Sequence, residues 1–379
     1  MEIPAPTVRE RQEVPVTGWE LPAVGFDERD EIGRLLKAAR DRDASDLLIV
    51  AGSPAMIRIN GALSPTGDPL TEEETRTLCG DILPRERRQI LSDTGSVDFA
   101  FTRPGLGRFR CNLHRQRGSW AAAIRLLPKS PPGFEELNLP PVLDRIVALN
   151  HGLVLVTGPT GSGKSTTLAS MLSQILEQRR LHAITIEDPV EYEHSSSLSL
   201  VEHVEVGRDA ATFPKALRAA LRQDPDVLLV GEMRDPESIA MAITAAETGH
   251  LVLSTLHTGD VAQSINRIVD SFPPEQIETV RTQLSISLAA VLSQHLIPRI
   301  DGEGRVPAVE IMFATDAVRN MIRSGKIEQL RSQVGMEKRN GSIPLDHSLA
   351  SLVQRKLISE NDARLRARNP LELDALLIP

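Results

Sequence analysis

The sequence predicts an α/β protein in which a larger domain with a mainly parallel sheet follows a smaller α+β domain. Three observations carry this prediction. A glycine-rich turn joins an apolar strand to a helix within residues 152–177, and short apolar segments then alternate with helical patterns, as in a parallel sheet flanked by helices. The prolines and glycine of residues 129–135 form the clearest break in the chain and predict an interdomain linker there.

The glycine-rich turn has the pattern of a phosphate-binding P-loop. An apolar run, Leu153–Val156, leads into Gly158–Ser165, which fits G-x-x-x-x-G-K-[ST], and Thr166–Glu177 continues as an amphipathic helix. Such a loop wraps backbone N–H groups around phosphates at a helix N-terminus. We expect Lys164 to reach the β- and γ-phosphates and Ser165 to bind Mg²⁺. The predicted nucleotide-binding residues are Gly158, Pro159, Thr160, Gly161, Ser162, Gly163, Lys164, Ser165 and Thr166.

Composition excludes several other classes of protein. With 379 residues there is room for two domains, and the formal charge of −8 with 3% aromatics argues against a nucleic-acid-binding protein. Two distant cysteines, Cys79 and Cys111, argue against a disulfide framework or a tetracysteine zinc site. No apolar run has the ~18 residues of a membrane span, and the N-terminus lacks a signal-peptide pattern. We therefore expect a cytoplasmic protein.

The first predicted domain covers residues 30–128 and follows an extension, residues 1–29, that we expect to be flexible. Apolar spacing predicts a helix over residues 30–42, and Leu47–Val50 with Met56–Ile59 predicts a hairpin. Thr71 and three following glutamates indicate another helix start. Strands are expected over Val97–Leu127, where alternation places Arg108 and Arg110 on one face, which we interpret as solvated.

The second predicted domain covers residues 136–363. Its expected parallel strands are Leu153–Val156, Ala183–Ile186, Val227–Val230 and Leu251–Ser254. The chain from about Pro307 onward is expected to be mainly helical. Residues 364–379 are treated as a C-terminal tail, and no structure is predicted for residues 369–379.

Charged residues follow three of these strands at the edge where open α/β sheets bind ligands. Glu187, Asp188 and Glu191 follow the second strand, and their predicted role is to organise Mg²⁺ and activate water, with Glu187 and Asp188 as metal ligands. The third strand ends in Gly231-Glu232, where a Walker B segment usually has an aspartate. Glu232 is therefore expected to orient or deprotonate water rather than bind metal.

The fourth strand is followed by His257, in the position of a γ-phosphate sensor. Phosphoryl transfer also needs positive charge on the phosphate oxygens, and arginines often supply it from another subunit or domain. The sequence alone does not sort the phosphate-binding arginines from those in structural ion pairs among Arg208, Arg218, Arg222, Arg234 and Arg267.

Together these motifs resemble the secretion-superfamily ATPases, and within them the PilT-type twitching-motility pilus retraction ATPases. The resemblance rests on the Walker A motif, an Asp box at Glu187–Glu191, the atypical Walker B and a His box at Thr248–Thr258 that includes His250. It also includes Ala317–Met321, which is similar to the family's Ala-Ile-Arg-Asn-Leu signature and keeps Arg319 and Asn320. Similarity extends from about Asp30 to Ala363.

The resemblance implies a homohexameric motor that uses ATP and Mg²⁺. It implies a PAS-like N-terminal domain and a RecA-like ATPase domain with a helical C-terminal segment, packed across subunit boundaries. Arg110 and Arg125 then become phosphate contacts, together with Arg218, Arg222 and Arg267. Glu232 and Glu191 fall on positions tied to hydrolysis, with Glu232 favoured as the group that activates water.

The implied partners are an inner-membrane pilus platform protein and a paralogous retraction ATPase. Membrane association is expected only through a partner, at the inner face of the cytoplasmic membrane, and no nucleic acid is expected. Three alternatives stay open: a pilus-assembly or type II secretion ATPase, an accessory paralogue with little hydrolysis of its own, and a nucleic-acid translocase. Leu48 departs from the family pattern, in which many relatives carry histidine.

Overall fold

The computed structural model describes residues 30–196 and 198–378, and it contains two β-sheets with helices packed against them. The predicted fold class is confirmed, since both a mainly parallel sheet and a separate smaller α+β region are present. The domain boundaries stay a prediction. The extension of residues 1–29 lies outside the described residues. Among the helices of the described part of the chain, none is long and apolar enough to cross a bilayer.

The first sheet is antiparallel and has the strand order β3-β2-β1-β6-β5-β4. Its strands are β1 Asp46–Val50, β2 Pro54–Ile59, β3 Ala62–Pro69, β4 Ser96–Arg103, β5 Gly107–Gln116 and β6 Ser119–Leu126. The helices of this region are α1 Glu31–Asp41, α2 Glu72–Ile82 and α3 Arg88–Thr94.

Both predicted helix starts in this region are confirmed by their caps. The Asp30 side chain accepts a hydrogen bond from the Gly33 N–H and so caps α1, while Thr71 and Glu74 form a reciprocal capping box at α2. One helix face and one sheet face then share a single apolar core, which includes Ile32, Leu36, Leu47, Ile49, Phe109 and Ile124.

The second sheet has the order β13-β12-β7-β11-β10-β8-β9. All pairs are parallel except β12–β13, which is antiparallel. Its strands are β7 Gly152–Thr157, β8 His182–Glu187, β9 Leu200–Glu205, β10 Val227–Val230, β11 Leu251–Leu256, β12 Leu288–Pro298 and β13 Arg305–Phe313. The helices are α4 Asp144–Val147, α5 Lys164–Gln178, α6 Phe213–Ala220, α7 Pro236–Glu247, α8 Val261–Val269 and α9 Ile277–Ser287. Two apolar clusters cover its two faces.

The chain after β13 is helical, as predicted, but the expectation of helix from about Pro307 is wrong for residues 307–313. These residues belong to β13, whose burial is continuous rather than alternating, so the strand carries no period-two signal. The later helices are α10 Asp316–Arg323, α11 Leu330–Met336, α12 Leu345–Gln354, α13 Glu360–Arg366 and α14 Pro370–Leu377. Helix α14 occupies the residues left without a prediction, and its Leu373 packs against Leu345 and Leu349.

Candidate nucleotide-binding site

The P-loop, residues 158–163, connects the buried strand β7 to α5, as the sequence predicts. Gly161 and Gly163 both have positive φ, and Gly163 caps α5 in the left-handed conformation. A Cβ atom on Gly158 would collide with the carbonyl oxygen of Gln294, and one on Gly163 would lie 2.8 Å from the Gln294 Nε2. Gly158 and Gly163 are therefore required by close packing as well as by backbone conformation, and Gly161 by its conformation alone.

The loop fits a phosphate group. Within the described residues, the buried Ser162 hydroxyl has no hydrogen-bond partner, and the N-terminus of the fifteen-residue α5 begins directly after the loop. An unpartnered hydroxyl and free helix N–H groups together favour an anion. The Lys164 ammonium donates to the Gly158 and Pro159 carbonyls at 3.0 and 3.1 Å. Burial lowers the pKa of Lys164, and the nearby Glu232 and Glu191 carboxylates oppose that shift.

Three predicted catalytic side chains from three strand ends come together. The His257 Nδ1 lies 3.4 Å from the Lys164 Nζ, and the His257 Nε2 lies 3.3 Å from a Glu232 carboxylate oxygen. Since an ammonium can only donate, Nδ1 accepts and Nε2 carries the proton that is donated to Glu232. Glu232 also pairs with the exposed Arg234. The histidine thus connects the Walker A lysine to the Walker B glutamate.

Gly231 has a structural reason for replacing the usual aspartate. A Cβ at this position would lie 3.3 Å from the Ile186 carbonyl and 3.4 Å from the Glu187 Cα, so a larger residue would crowd the end of β8. Glu187 and Ser165 instead line one small cavity. Burial raises the pKa of Glu187 to about 7, with the Thr185 hydrogen bond opposing the shift.

The predicted Mg²⁺ ligands are only partly brought together. Ser165 and Glu187 share a cavity and supply oxygen atoms of the kind that Mg²⁺ prefers, whereas Asp188 is exposed and makes no hydrogen bond or ion pair within the described residues. No group of three or more His, Cys, Asp or Glu side chains in that part of the chain is arranged to hold a metal. Ser165 and Glu187 therefore fit the ion better than Asp188 does.

Glu191 lies near the P-loop lysine, and the next residue, Tyr192, attaches this segment to α5. The Glu191 charge acts on both Lys164 and Tyr192. The Tyr192 hydroxyl lies 3.2 Å from the Thr166 Oγ1, and burial raises the pKa of Tyr192. The segment that carries Glu191 is thus held against the first turn of the P-loop helix.

The interpretation of Arg108 as a solvated residue is wrong. Its side chain is 7% exposed and forms an ion pair with the equally buried Glu205. Its Nε donates to the Val190 carbonyl at 2.8 Å, and it also contacts Glu193 at 3.1 Å. Arg108 thereby attaches the first sheet to the segment that contains Glu191, and burial with full pairing explains why a charge is tolerated here.

Arg110 and Arg125 are exposed and lie opposite each other on β5 and β6. Asp46 lies beside Arg125 in the sheet and binds its Nε at 3.1 Å, while Arg58 faces Asp46 from β2. No hydrogen bond or ion pair joins Arg110 or Arg125 to the P-loop among the described residues. The described part of one chain therefore does not bring these arginines into contact with its own phosphate loop.

The other predicted arginines lie at the surface of the second region. Arg218 pairs with Glu237 at 2.6 Å, and both side chains are more than half exposed. Arg222 and Arg267 are exposed as well, the latter in the last turn of α8. Their role as phosphate contacts stays a prediction.

The remaining motif residues lie away from the P-loop. His250 precedes β11 at its opposite end and interacts through Nδ1 with the Ala245 carbonyl at 2.9 Å. Arg319 donates to the Ala314 and Ser285 carbonyls and so joins α10 to α9. Asn320 is exposed beside it, while Val318 is buried in the core. This motif therefore supports the helical region and does not line the nucleotide site.

Sequence reasoning missed Gln294 and the pairing of Arg108. The signal for Gln294 is the polar triplet Ser293-Gln294-His295 inside an otherwise apolar strand, at positions that are buried or half-buried. Nothing local marks the partner of Arg108, because Glu205 is 97 residues away along the chain.

Comparison with known proteins agrees with this geometry. Residues 129–360 match the family described as type II/IV secretion system protein. The chain is 46% identical to the type IV pilus retraction ATPase PilT of Pseudomonas aeruginosa, over 90% of this chain and 99% of that protein. It is 44% identical to a twitching motility protein of Neisseria gonorrhoeae, over 88% and 90% of the two chains.

A solved structure of the pilus retraction motor PilT with bound ADP also matches, with a TM-score of 0.84 and 44% identity. The match covers 90% of this chain and 98% of that one. Both regions described above are thus included in the similarity. The chain belongs to the type II/IV secretion system protein family and resembles its PilT ATPases over nearly its whole length.

Proposed function

We propose that this protein is a Mg·ATP-hydrolysing motor that powers the retraction of type IV pili. The observation that carries the chemistry is the His257 bridge between Lys164 and Glu232, which joins phosphate binding to a carboxylate that can act on water. Similarity to a retraction ATPase over 99% of that protein's length supports pilus retraction rather than pilus assembly.

The P-loop residues would hold the phosphates, with Lys164 neutralising the β- and γ-phosphate oxygens. Ser165 and Glu187 would hold Mg²⁺, which neutralises charge on the phosphate oxygens when it is bound. In this arrangement the Lys164 ammonium leaves its loop carbonyls for the stronger, charge-assisted contact with phosphate. His257 keeps its Nε2 hydrogen bond to Glu232, so the carboxylate stays in position.

Glu232 is the proposed general base. Its carboxylate lies at the end of a buried strand, with His257 and Arg234 holding it on two sides. A carboxylate held in this way can orient a water molecule and take its proton as the γ-phosphoryl group is transferred. Glu191, which is close enough to influence Lys164, is the alternative candidate for the general base.

The working form is proposed to be a homohexamer. The exposure of Arg110 and Arg125 supports this proposal, because they meet phosphate only if the first sheet of one subunit closes on the P-loop of another. ATP turnover would then rock one region against the other. The proposed partners are an inner-membrane pilus platform protein and a paralogous ATPase, and the proposed location is the cytoplasmic face of that membrane.

Deleting the gene in its native host tests the direction of the motor. We expect cells with excess surface pili and no twitching, restored by the wild-type gene but not by the Lys164→Ala variant. Cells without pili would instead indicate an assembly ATPase, and normal pili with lost protein secretion would indicate a secretion ATPase. Purified protein without ATP turnover would overturn the enzymatic part of the proposal.

A further inference from the structure

Gln294 on β12 contacts the P-loop from outside the Walker A motif. Strand β12 pairs in parallel with β7, and the last paired residues are Ser293 and Thr157. The chain of β7 then turns into the loop, while β12 continues to Pro298. The first residue of β12 beyond the shared ladder is therefore Gln294, which lies beside Gly158.

The continuation of β12 stays hydrogen-bonded to a neighbouring strand at this point. Strand β13 pairs with it from Ala290 to Pro298, and Gln294 itself lies opposite Val309. Gln294 is 3% exposed. A buried side chain on a strand that is paired with β13 on both sides of this position has little freedom to move, so it can act as a fixed support for a glycine-rich loop.

Both ends of the Gln294 side-chain amide bind the phosphate-loop region. Its Oε1 accepts a hydrogen bond from the Thr167 hydroxyl at 2.8 Å, and its Nε2 donates to the Ser162 carbonyl at 2.7 Å. The orientation of the amide follows from chemistry, since a carbonyl oxygen can only accept. One side chain thus joins the loop to the first turn of α5.

The glycines of the motif make these contacts possible. A Cβ on Gly158 would collide with the Gln294 carbonyl oxygen, and a Cβ on Gly163 would lie 2.8 Å from its Nε2. The close approach therefore occurs at both ends of the loop. Two hydrogen bonds and two close backbone contacts converge on a single residue of another strand.

We propose that Gln294 is a positioning residue that holds the P-loop in its phosphate-binding conformation. Gln294 touches no phosphate itself and acts through Ser162 and Thr167. A loop that is already held in its phosphate-binding conformation loses less conformational entropy when the nucleotide binds. Loss of the Gln294 contacts should therefore lower the affinity for ADP and for ATP alike. This inference rests on the proposed function as a nucleotide-binding ATPase.

The test compares Gln294→Met, which keeps the volume but removes both hydrogen bonds, with the full-length wild type. We measure dissociation constants for fluorescent ADP and ATP analogues and the kinetics of ATP turnover. Loss of a buried hydrogen-bond partner should weaken the binding of both nucleotides about tenfold. KM should rise by a similar factor while kcat changes less than about threefold, because the transferring groups are untouched.

Two further variants separate positioning from general stability. Thr167→Val removes only the hydroxyl that donates to Gln294, and combining it with Gln294→Met should give less than the product of the single effects. Ser342→Ala is the control, because it removes a buried hydrogen bond to the Phe313 N–H at the far end of β13. It should lower the melting temperature without changing the nucleotide affinity.

The outcomes are distinct. If Gln294→Met and Thr167→Val both bind nucleotide within twofold of the wild type, the positioning role is wrong, even where their melting temperatures fall. Faster hydrogen exchange of residues 158–164 in Gln294→Met, with the rest of the sheet unchanged, would support it. If the wild type itself bound no nucleotide, the proposed function would fail rather than this inference alone.

Discussion

The P-loop and the exposed arginines of β5 and β6, Arg110 and Arg125, both supply positive charge to the proposed reaction, but within the described residues the side chains of one chain come together only around the P-loop. His257 contacts both Lys164 and Glu232 at the end of the second sheet. Arg110 and Arg125 project from the first sheet and contact none of these residues in the described part of the chain. In the proposed hexamer, nucleotide would bind to the loop of one subunit and a second subunit would complete the charge neutralisation.

Two arginines of β5 differ in the same way, since one is paired within the chain and the other is exposed. Arg108 is buried in a pair with Glu205, and Arg110, two positions later, is exposed. Breaking a buried pair by removing one partner is strongly destabilising, while an exposed arginine contributes little to stability. We infer that Arg108 serves the fold of the subunit and that Arg110 is available for contacts outside it.

The largest effect is expected from Lys164→Ala, which disrupts the P-loop side of the site, where the contacts lie within one chain. Removing the ammonium leaves the phosphate charge without its closest counter-charge, so ATP turnover should fall to background. The measurement is phosphate release by purified protein, with the melting temperature as the control for folding. Turnover at the wild-type rate would mean that the loop is not the catalytic phosphate site.

The next effect concerns Glu232→Gln, which keeps the shape of the side chain and its hydrogen bond to His257. Without a carboxylate the proposed base is lost, and hydrolysis should slow at least ~10²-fold while ATP binding persists. Single-turnover kinetics with the same preparation separates the two steps. Full activity would transfer the role of general base to Glu191, and Glu191→Gln is the matched variant for that case.

Arg110→Ala and Arg125→Ala test the half that one chain leaves incomplete. A hydrogen bond to a charged group contributes ~1.5–3 kcal/mol, so each variant should lower kcat roughly 10- to 100-fold with little change in melting temperature. Coexpressing Lys164→Ala subunits with Arg110→Ala subunits should restore part of the activity, because some sites would combine an intact loop with an intact arginine.

Recovery in the mixture distinguishes contacts between subunits from contacts within one. If Arg110 served its own chain, neither type of subunit could form a working site and the mixture would stay inactive. Arg115→Ala, an exposed arginine near the other end of β5, is the control and should leave turnover unchanged.

Local patterns explain what could be predicted from the sequence. The P-loop, its flanking strand and helix, and the capped starts of α1 and α2 each depend on residues within a few positions of one another. Strand β13 is buried at nearly every position and so lacks an alternating pattern. The contact of Gln294 with Ser162 spans 132 residues, and only the sheet order brings these residues together.

The burial of charged residues is likewise not predictable from a local pattern. Alternation along β5 places Arg108 and Arg110 on the same face of the strand. Whether each side chain is buried depends, however, on which residues pack over it. Glu205 at the end of β9 and the Val190 carbonyl in the segment after β8 cover Arg108. A pattern in one strand contains no information about a neighbour from another part of the chain.

The smallest effect is expected at His194 and His203 of the second region, whose stacked rings have centroids 5.8 Å apart. Burial lowers the pKa of His194 to about 4, and the neighbouring His203 adds to the shift. Burial also lowers the pKa of His203, with Arg108 acting in the same direction and Glu193 against it. The unfolded chain, with ordinary histidine pKa values near 6.5, therefore binds more protons than the folded protein between about pH 6.5 and pH 4.

Stability from His194 should accordingly be present above about pH 6.5 and be lost as the pH falls toward 4. Between pH 7.5 and 5.5 we expect the melting temperature of the wild type to fall by roughly 2 °C more than that of His194→Gln. The exposed His151, in the variant His151→Gln, serves as the control and should keep the wild-type slope. Equal slopes for wild type and His194→Gln would show that protonation of His194 does not contribute to the loss of stability in acid.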